Sequence, residues 1–182
     1  MFKNALRLRT LSVNELCKVA MLVAITVILS YVSGFLRIGN VGKLSISFVS
    51  VYVAGAAFGP VIAGVVAALA DVVSFLANPT GPFVPWFTMI EFANGFLFGL
   101  LLFHGNENKS QYRFALCVVI CVLLQYLVNI LRTFALAELY YNGNFVATFV
   151  MRLPSTTFMA AVKIVVIIAI EPIMGNVIKH MR

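Results

Sequence analysis

Asn78-Pro-Thr-Gly-Pro-Phe-Val-Pro-Trp-Phe-Thr88 lies between two long apolar runs, and its three prolines and one glycine forbid regular helix there. The segment is expected to be a stiff loop. Irregular backbone beside a bilayer is tolerated only where protein buries it or where it lines a wet cavity. The loop also holds the chain's only tryptophan, Trp86, with Phe83 and Phe87 close by. It is therefore a candidate wall of a ligand site, with Trp86 and Phe83 stacking on a flat ring. The competing use of these residues is an interfacial aromatic belt.

The apolar runs on either side set the class. The chain has 182 residues, of which 62% are hydrophobic and 10% charged, with a mean hydropathy of +1.03. Soluble domains carry about 25% charged residues. A crossing needs about 20 apolar residues, so the sequence is expected to form an all-α integral membrane protein with six transmembrane helices. One transmembrane domain takes up residues 1–182, with no room for a soluble one.

Before the loop, a basic lead-in (Met1 to Asn14) precedes span one, from about Glu15 to Phe35; no small-x-small cleavage site follows, so the span is expected to be retained. A polar connection from Leu36 to Ser47 leads into a short second span, Leu44 to Phe58, which Gly59-Pro60 ends. Span three runs from Pro60 to Ala77 and is rich in small residues. Beyond the loop come span four (Phe87 to Phe103), span five (Phe114 to Tyr140) and span six (Phe145 to Ile178, irregular near Pro154).

The net charge of +7 does not form a stripe interleaved with exposed aromatics, so nucleic acid is not an expected partner. The basic residues mark topology instead. Lys3, Arg7, Arg9, Lys18, Lys109, Arg113, Lys179 and Arg182 fall on the side of the termini, whereas Arg37 and Lys43 fall on the other. That bias puts both termini in the cytoplasm. Cys17, Cys117 and Cys121 show no metal or disulfide spacing, and His104 and His180 are too few for a histidine metal site, so no metal and no cofactor are expected.

Ionisable residues inside spans are costly and are functional candidates by default. They are Asp71, Glu91, Arg132, Glu138, Arg152 and Lys163. At a rise of 1.5 Å per residue, Arg132 lies about 12 Å below the outer end of span five. Glu91 is near the outer end of span four, so both belong to the outer half. A ligand role competes here with a purely structural Arg132–Glu91 pair that fixes helix register. Ala20 and Ala24 share one face of span one and allow close helix approach, either within the chain or by a partner protein. The chain has no phosphate loop, no His-Glu-x-x-His and no Gly-x-Ser-x-Gly, so it lacks the means to hydrolyse ATP.

Several stretches resemble the substrate-binding S components of energy-coupling factor (ECF) vitamin transporters, most closely the folate group. They are Leu44-Ser-Ile-Ser-Phe48, Ala57-Phe-Gly-Pro60, Ala68-Leu-Ala-Asp71, Pro79 to Thr88, Val128-Asn-Ile and Arg152-Leu-Pro. Ala20-x-x-x-Ala24 resembles the family's first-helix motif, which docks on the transmembrane coupling protein. The resemblance implies a prokaryotic multi-pass protein of the cell membrane that captures a vitamin, folate foremost, and works with a coupling protein and two cytoplasmic ATPases. Under that reading Arg37, Lys43 and Arg152 suit the vitamin's carboxylates, Glu91 its ring donors, and Phe83 and Trp86 its flat ring, with Arg132 beside them. The alternatives are another vitamin (pyridoxine, a hydroxymethylpyrimidine or pantothenate) or, in a different class, a small membrane enzyme using Asp71 and Glu91 as acid and base. The predicted depths of that pair make convergence on one substrate atom difficult.

Overall fold

The computed structural model describes residues 12–35, 37–38, 42–43, 45–77, 83–103, 111–140 and 145–181. Within them lie six helices: α1 (Val13–Phe35), α2 (Phe48–Phe58), α3 (Pro60–Ala77), α4 (Pro85–Leu102), α5 (Gln111–Tyr140) and α6 (Phe145–Met181). A hairpin of two short strands, β1 (Arg37–Ile38) and β2 (Gly42–Lys43), follows α1. All helices but α2 are long and apolar enough to cross a membrane.

Local chemistry explains the boundaries. Ser12 and Glu15 form a reciprocal capping box, in which the Glu15 N–H donates to Ser12 Oγ (3.3 Å) and the Ser12 N–H to Glu15 Oε2 (2.9 Å). At Gly59 the chain takes φ 95°, a left-handed conformation that favours glycine, and Pro60 then opens α3. The loop expected over Asn78 to Thr88 ends earlier than the sequence reading placed it. Val84 is extended and Pro85 occupies the first turn of α4, where its missing N–H costs nothing, so Trp86, Phe87 and Thr88 are helical. Residues 78–82 of that loop lie outside the described residues. Pro154 likewise does not break α6, which continues from Phe145 to Met181. Hydroxyls of Ser155, Thr156 and Thr157 donate to the carbonyls of Arg152 and Leu153 around the proline.

Sequence-adjacent helices run antiparallel, and cross-contacts set their register. Ser33 on α1 receives the Ile46 N–H (3.0 Å), and Thr26 reaches Ser50 (2.9 Å) on α2. Thr88 on α4 faces Asp71 on α3, Gln125 on α5 faces Asn94, and Lys163 on α6 faces Gln125. The closest pairing is α3 with α4. Ideal Cβ atoms built on Gly95 and Gly99 would stand 2.4 Å from the Ala63 carbonyl oxygen and 2.3 Å from Pro60 Cα. Small residues let these backbones touch where lipid offers no hydrophobic drive.

The short helix determines where the cavity lies. α2 is hydrophobic all round and buried from Val51 to Ala57, packed among α1, α3, α4 and α6. Its 11 residues give a length of about 16 Å, roughly half the hydrocarbon thickness. Its side chains mark its level in the bundle: Phe48 meets Lys163, and Tyr52 hydrogen-bonds to Glu171 further along α6. α2 therefore fills only the half nearer the chain termini, and the space beyond its first turn is left to the longer helices.

Candidate functional site

That space is a cavity of about 500 Å³ to which every helix contributes. Its size lies within the roughly 300–1,000 Å³ of small-molecule sites. Thr26, Ser30, Ser45 and Ser47 supply hydroxyls on one side, and Asp71, Glu91, Arg132, Arg152 and Lys163 supply charge. Phe48, Phe98, Val122 and Met159 supply apolar wall.

Two polar clusters lie at different depths. Towards the hairpin end, Arg132 forms an ion pair with Glu91, its guanidinium lies 5.4 Å from the Phe87 ring centroid, and Thr88 Oγ1 donates to Asp71 Oδ2 (2.8 Å). Deeper, Lys163 Nζ donates to Gln125 Oε1 (3.0 Å), Gln125 Nε2 donates to the Asn94 carbonyl (3.0 Å), and the Asn129 amide donates to the Gln125 carbonyl (2.8 Å). Rings of Phe48 and Phe98 flank the Lys163 ammonium at 6.0 Å each. Among the described residues the buried Oδ1 of Asn94 has no hydrogen-bond partner.

Of the residues expected from sequence, Glu91, Arg132 and Arg152 line the cavity, as does Asp71. The Arg132–Glu91 pair exists, and because both members also border the cavity, pairing does not separate a structural role from a binding one. Phe83 and Trp86 are not brought to the lining; they are 46% and 48% exposed, and Phe83 packs on Phe75 at 5.2 Å between centroids. Helix periodicity gives the reason for Trp86. It precedes Glu91 by five residues, so it points about 140° away around α4, whereas Phe87 shares the face of Glu91. Arg37 and Lys43 stand opposite each other in the hairpin register.

Ala20 and Ala24 lie on the exposed side of α1, next to exposed Met21 and Ile28. The inward side carries Glu15, Val19, Leu22, Thr26 and Ser33, all buried. Among the described residues, then, the small-residue face meets no helix of its own chain closely.

Asn94 and Phe98 carry no sequence signal of a site, and Phe48 stands in the sequence only as the end of the Leu44–Phe48 stretch, with no role attached. Asn94 and Phe98 are spaced as one α4 face with Glu91 and Gly95, a pattern that does not say which face is wet. Glu171 also belongs with the ionisable residues inside the spans, where it meets the buried Tyr52 hydroxyl.

Comparison with known proteins bears on this arrangement. The family model for "ECF transporter, substrate-specific component" matches residues 14–174. The folate transporter FolT of Clostridium novyi (strain NT) is 32% identical over 88 residues, 48% of this chain and 50% of that protein, so this match spans half of the relative's length. FolT of Streptococcus mutans serotype c (strain ATCC 700610 / UA159) is 28% identical over 166 residues, covering 89% of this chain and 87% of the relative. A crystal structure of FolT bound with folic acid superposes with a TM-score of 0.70 at 26% identity, covering 85% of this chain and 90% of that one.

Proposed function

Because the chain belongs to the substrate-specific components of ECF transporters, we propose that it is the folate-capturing subunit of such a transporter. The observation that carries this is the cavity itself. It is a chamber for one small molecule, formed by all six helices, with hydroxyls, two carboxylates and three cations around an apolar wall, in a chain whose fold matches that of a FolT bound with folic acid. The mixed lining suits a ligand with a flat polar ring at one end and carboxylates at the other.

In this reading the bundle sits in the cell membrane with both termini in the cytoplasm, and the hairpin end opens outward. All six helices are embedded, α2 as a half-length element. Arg37, Lys43 and Arg152 hold the carboxylates of the folate tail, Arg152 as a planar two-pronged donor. Arg132, ion-paired with Glu91, holds that carboxylate in place beside the ligand. Phe83 and Trp86 belong to the rim of the mouth. An ECF coupling protein docks on the Ala20/Ala24 face, and two cytoplasmic ATPases supply the energy that no motif in this chain provides.

Two measurements on the purified protein test the reading. Tritiated folic acid bound to it is displaced by unlabelled folic acid and not by pyridoxine, a hydroxymethylpyrimidine or pantothenate; displacement by one of those reassigns the vitamin. Arg152→Ala weakens folic acid binding by at least about tenfold, the effect of losing one charge-assisted hydrogen bond of about 1.4 kcal/mol. An unchanged affinity removes Arg152 from the site.

A further inference from the structure

Lys163 has more hydrogen-bonding capacity than the protein uses. An ammonium carries three protons, yet among the described residues Gln125 Oε1 is its single hydrogen-bond acceptor. The rings of Phe48 and Phe98, at 6.0 Å, lie at the outer limit of cation–π attraction. A cation inside a membrane bundle is costly to leave so little compensated. In the same cavity lining, the buried Asn94 Oδ1 also lacks a partner among the described residues, and such an orphan signals a missing polar neighbour. Gln125, itself pinned to the Asn94 backbone, holds the Lys163 side chain in one place. These groups form a fixed donor between two aromatic rings at the deep end of the cavity.

On the folate reading above, we infer that Lys163 is a specificity-determining residue that reads the ligand's ring. Its ammonium takes the 4-oxo oxygen and the neighbouring ring nitrogen N5 of a pteridine. Those two acceptors flank one ring-fusion carbon, the same relation as O6 and N7 of guanine, which lysine reads in nucleic acids. Phe48 and Phe98, rather than Phe83 and Trp86, are then the walls against which the ring packs. The register along α6 agrees with this pose. Lys163 is eleven residues beyond Arg152, about 16 Å along the helix axis, comparable to an extended folate from its ring edge to its tail carboxylates. The ring lies deep and the carboxylates lie at the mouth.

The test compares folic acid with its 4-amino analogue, in which the 4-oxo acceptor is replaced by a donor. Lys163→Met keeps the side-chain length and removes the charge. It weakens folic acid binding at least about tenfold, the loss of one charge-assisted hydrogen bond, and weakens the analogue less than about threefold. Equal losses for both ligands, or no loss, overturn the inference while leaving the folate reading intact; absence of folic acid binding by the unaltered protein overturns that reading instead. A measurement on the unaltered protein covers the case of a variant that does not fold. Saturating folic acid shields Lys163 from reductive methylation, read by peptide mass, and equal methylation with and without ligand contradicts the inference.

Discussion

Replacing Gly95 and Gly99 together with leucine is expected to abolish the folded bundle. The atoms a side chain would meet are the Ala63 carbonyl and the rigid Ala67 Cβ at Gly95, and Pro60 Cα, Pro60 N and the Gly59 carbonyl carbon at Gly99, all within 3.0 Å of an ideal Cβ. No rotamer change relieves such a contact, so α3 and α4 must separate. Gly99 also contacts Gly55, so the buried half-helix α2 is displaced as well. A single Gly99→Ala is expected to cost about 1–3 kcal/mol, the usual range for overpacking. The double leucine variant multiplies the misfit, and in detergent it should elute as aggregate and bind no folic acid. A monodisperse double variant with unchanged thermal stability would show that α3 and α4 are not packed as described.

The second large effect separates binding from transport. Ala20 and Ala24 are exposed on α1, away from the side carrying Val19, Leu22 and Thr26, and neither borders the cavity. With Ala20→Trp and Ala24→Trp combined, two indoles stand where a partner helix would approach closely. Folic acid binding by the isolated subunit should remain within about twofold, because the ligand site is untouched, on a scale where tenfold is 1.4 kcal/mol. Uptake into vesicles containing the coupling protein, both ATPases and ATP should fall to background. Normal uptake would place the docking face elsewhere, and lost binding would mean that this face supports the bundle.

Much of the architecture could be read from composition and punctuation. Gly59-Pro60 had to end one helix and start another, since the positive φ and the missing N–H leave few other options. The prolines of residues 78–88 marked a break, but whether a proline lies in a loop or in the first turn of a helix depends on the residue before it, and Pro85 took the helical option. With the helix under way by Trp86, that side chain points away from Glu91, while Phe87 lies against the Arg132 guanidinium.

The site was less legible for a different reason. Ionisable residues in apolar runs identify themselves, as Asp71, Glu91, Arg132, Arg152 and Lys163 do, but not their partners. The deep cluster depends on Lys163 meeting Gln125 across 38 positions and on a half-length α2 placing Phe48 beside Lys163. Register between helices is set by packing, as at Gly95 and Gly99, and hydropathy does not encode it. Phe48 and Phe98 are two of the chain's 16 phenylalanines, and nothing in their neighbours distinguishes a cavity wall from a lipid-facing ring.

The most direct test of the whole account is calorimetric titration of the purified chain, without any partner, with folic acid. The account requires one ligand per chain with a dissociation constant tighter than about 1 μM, equivalent to 8.2 kcal/mol. A flat titration by properly folded protein would contradict it.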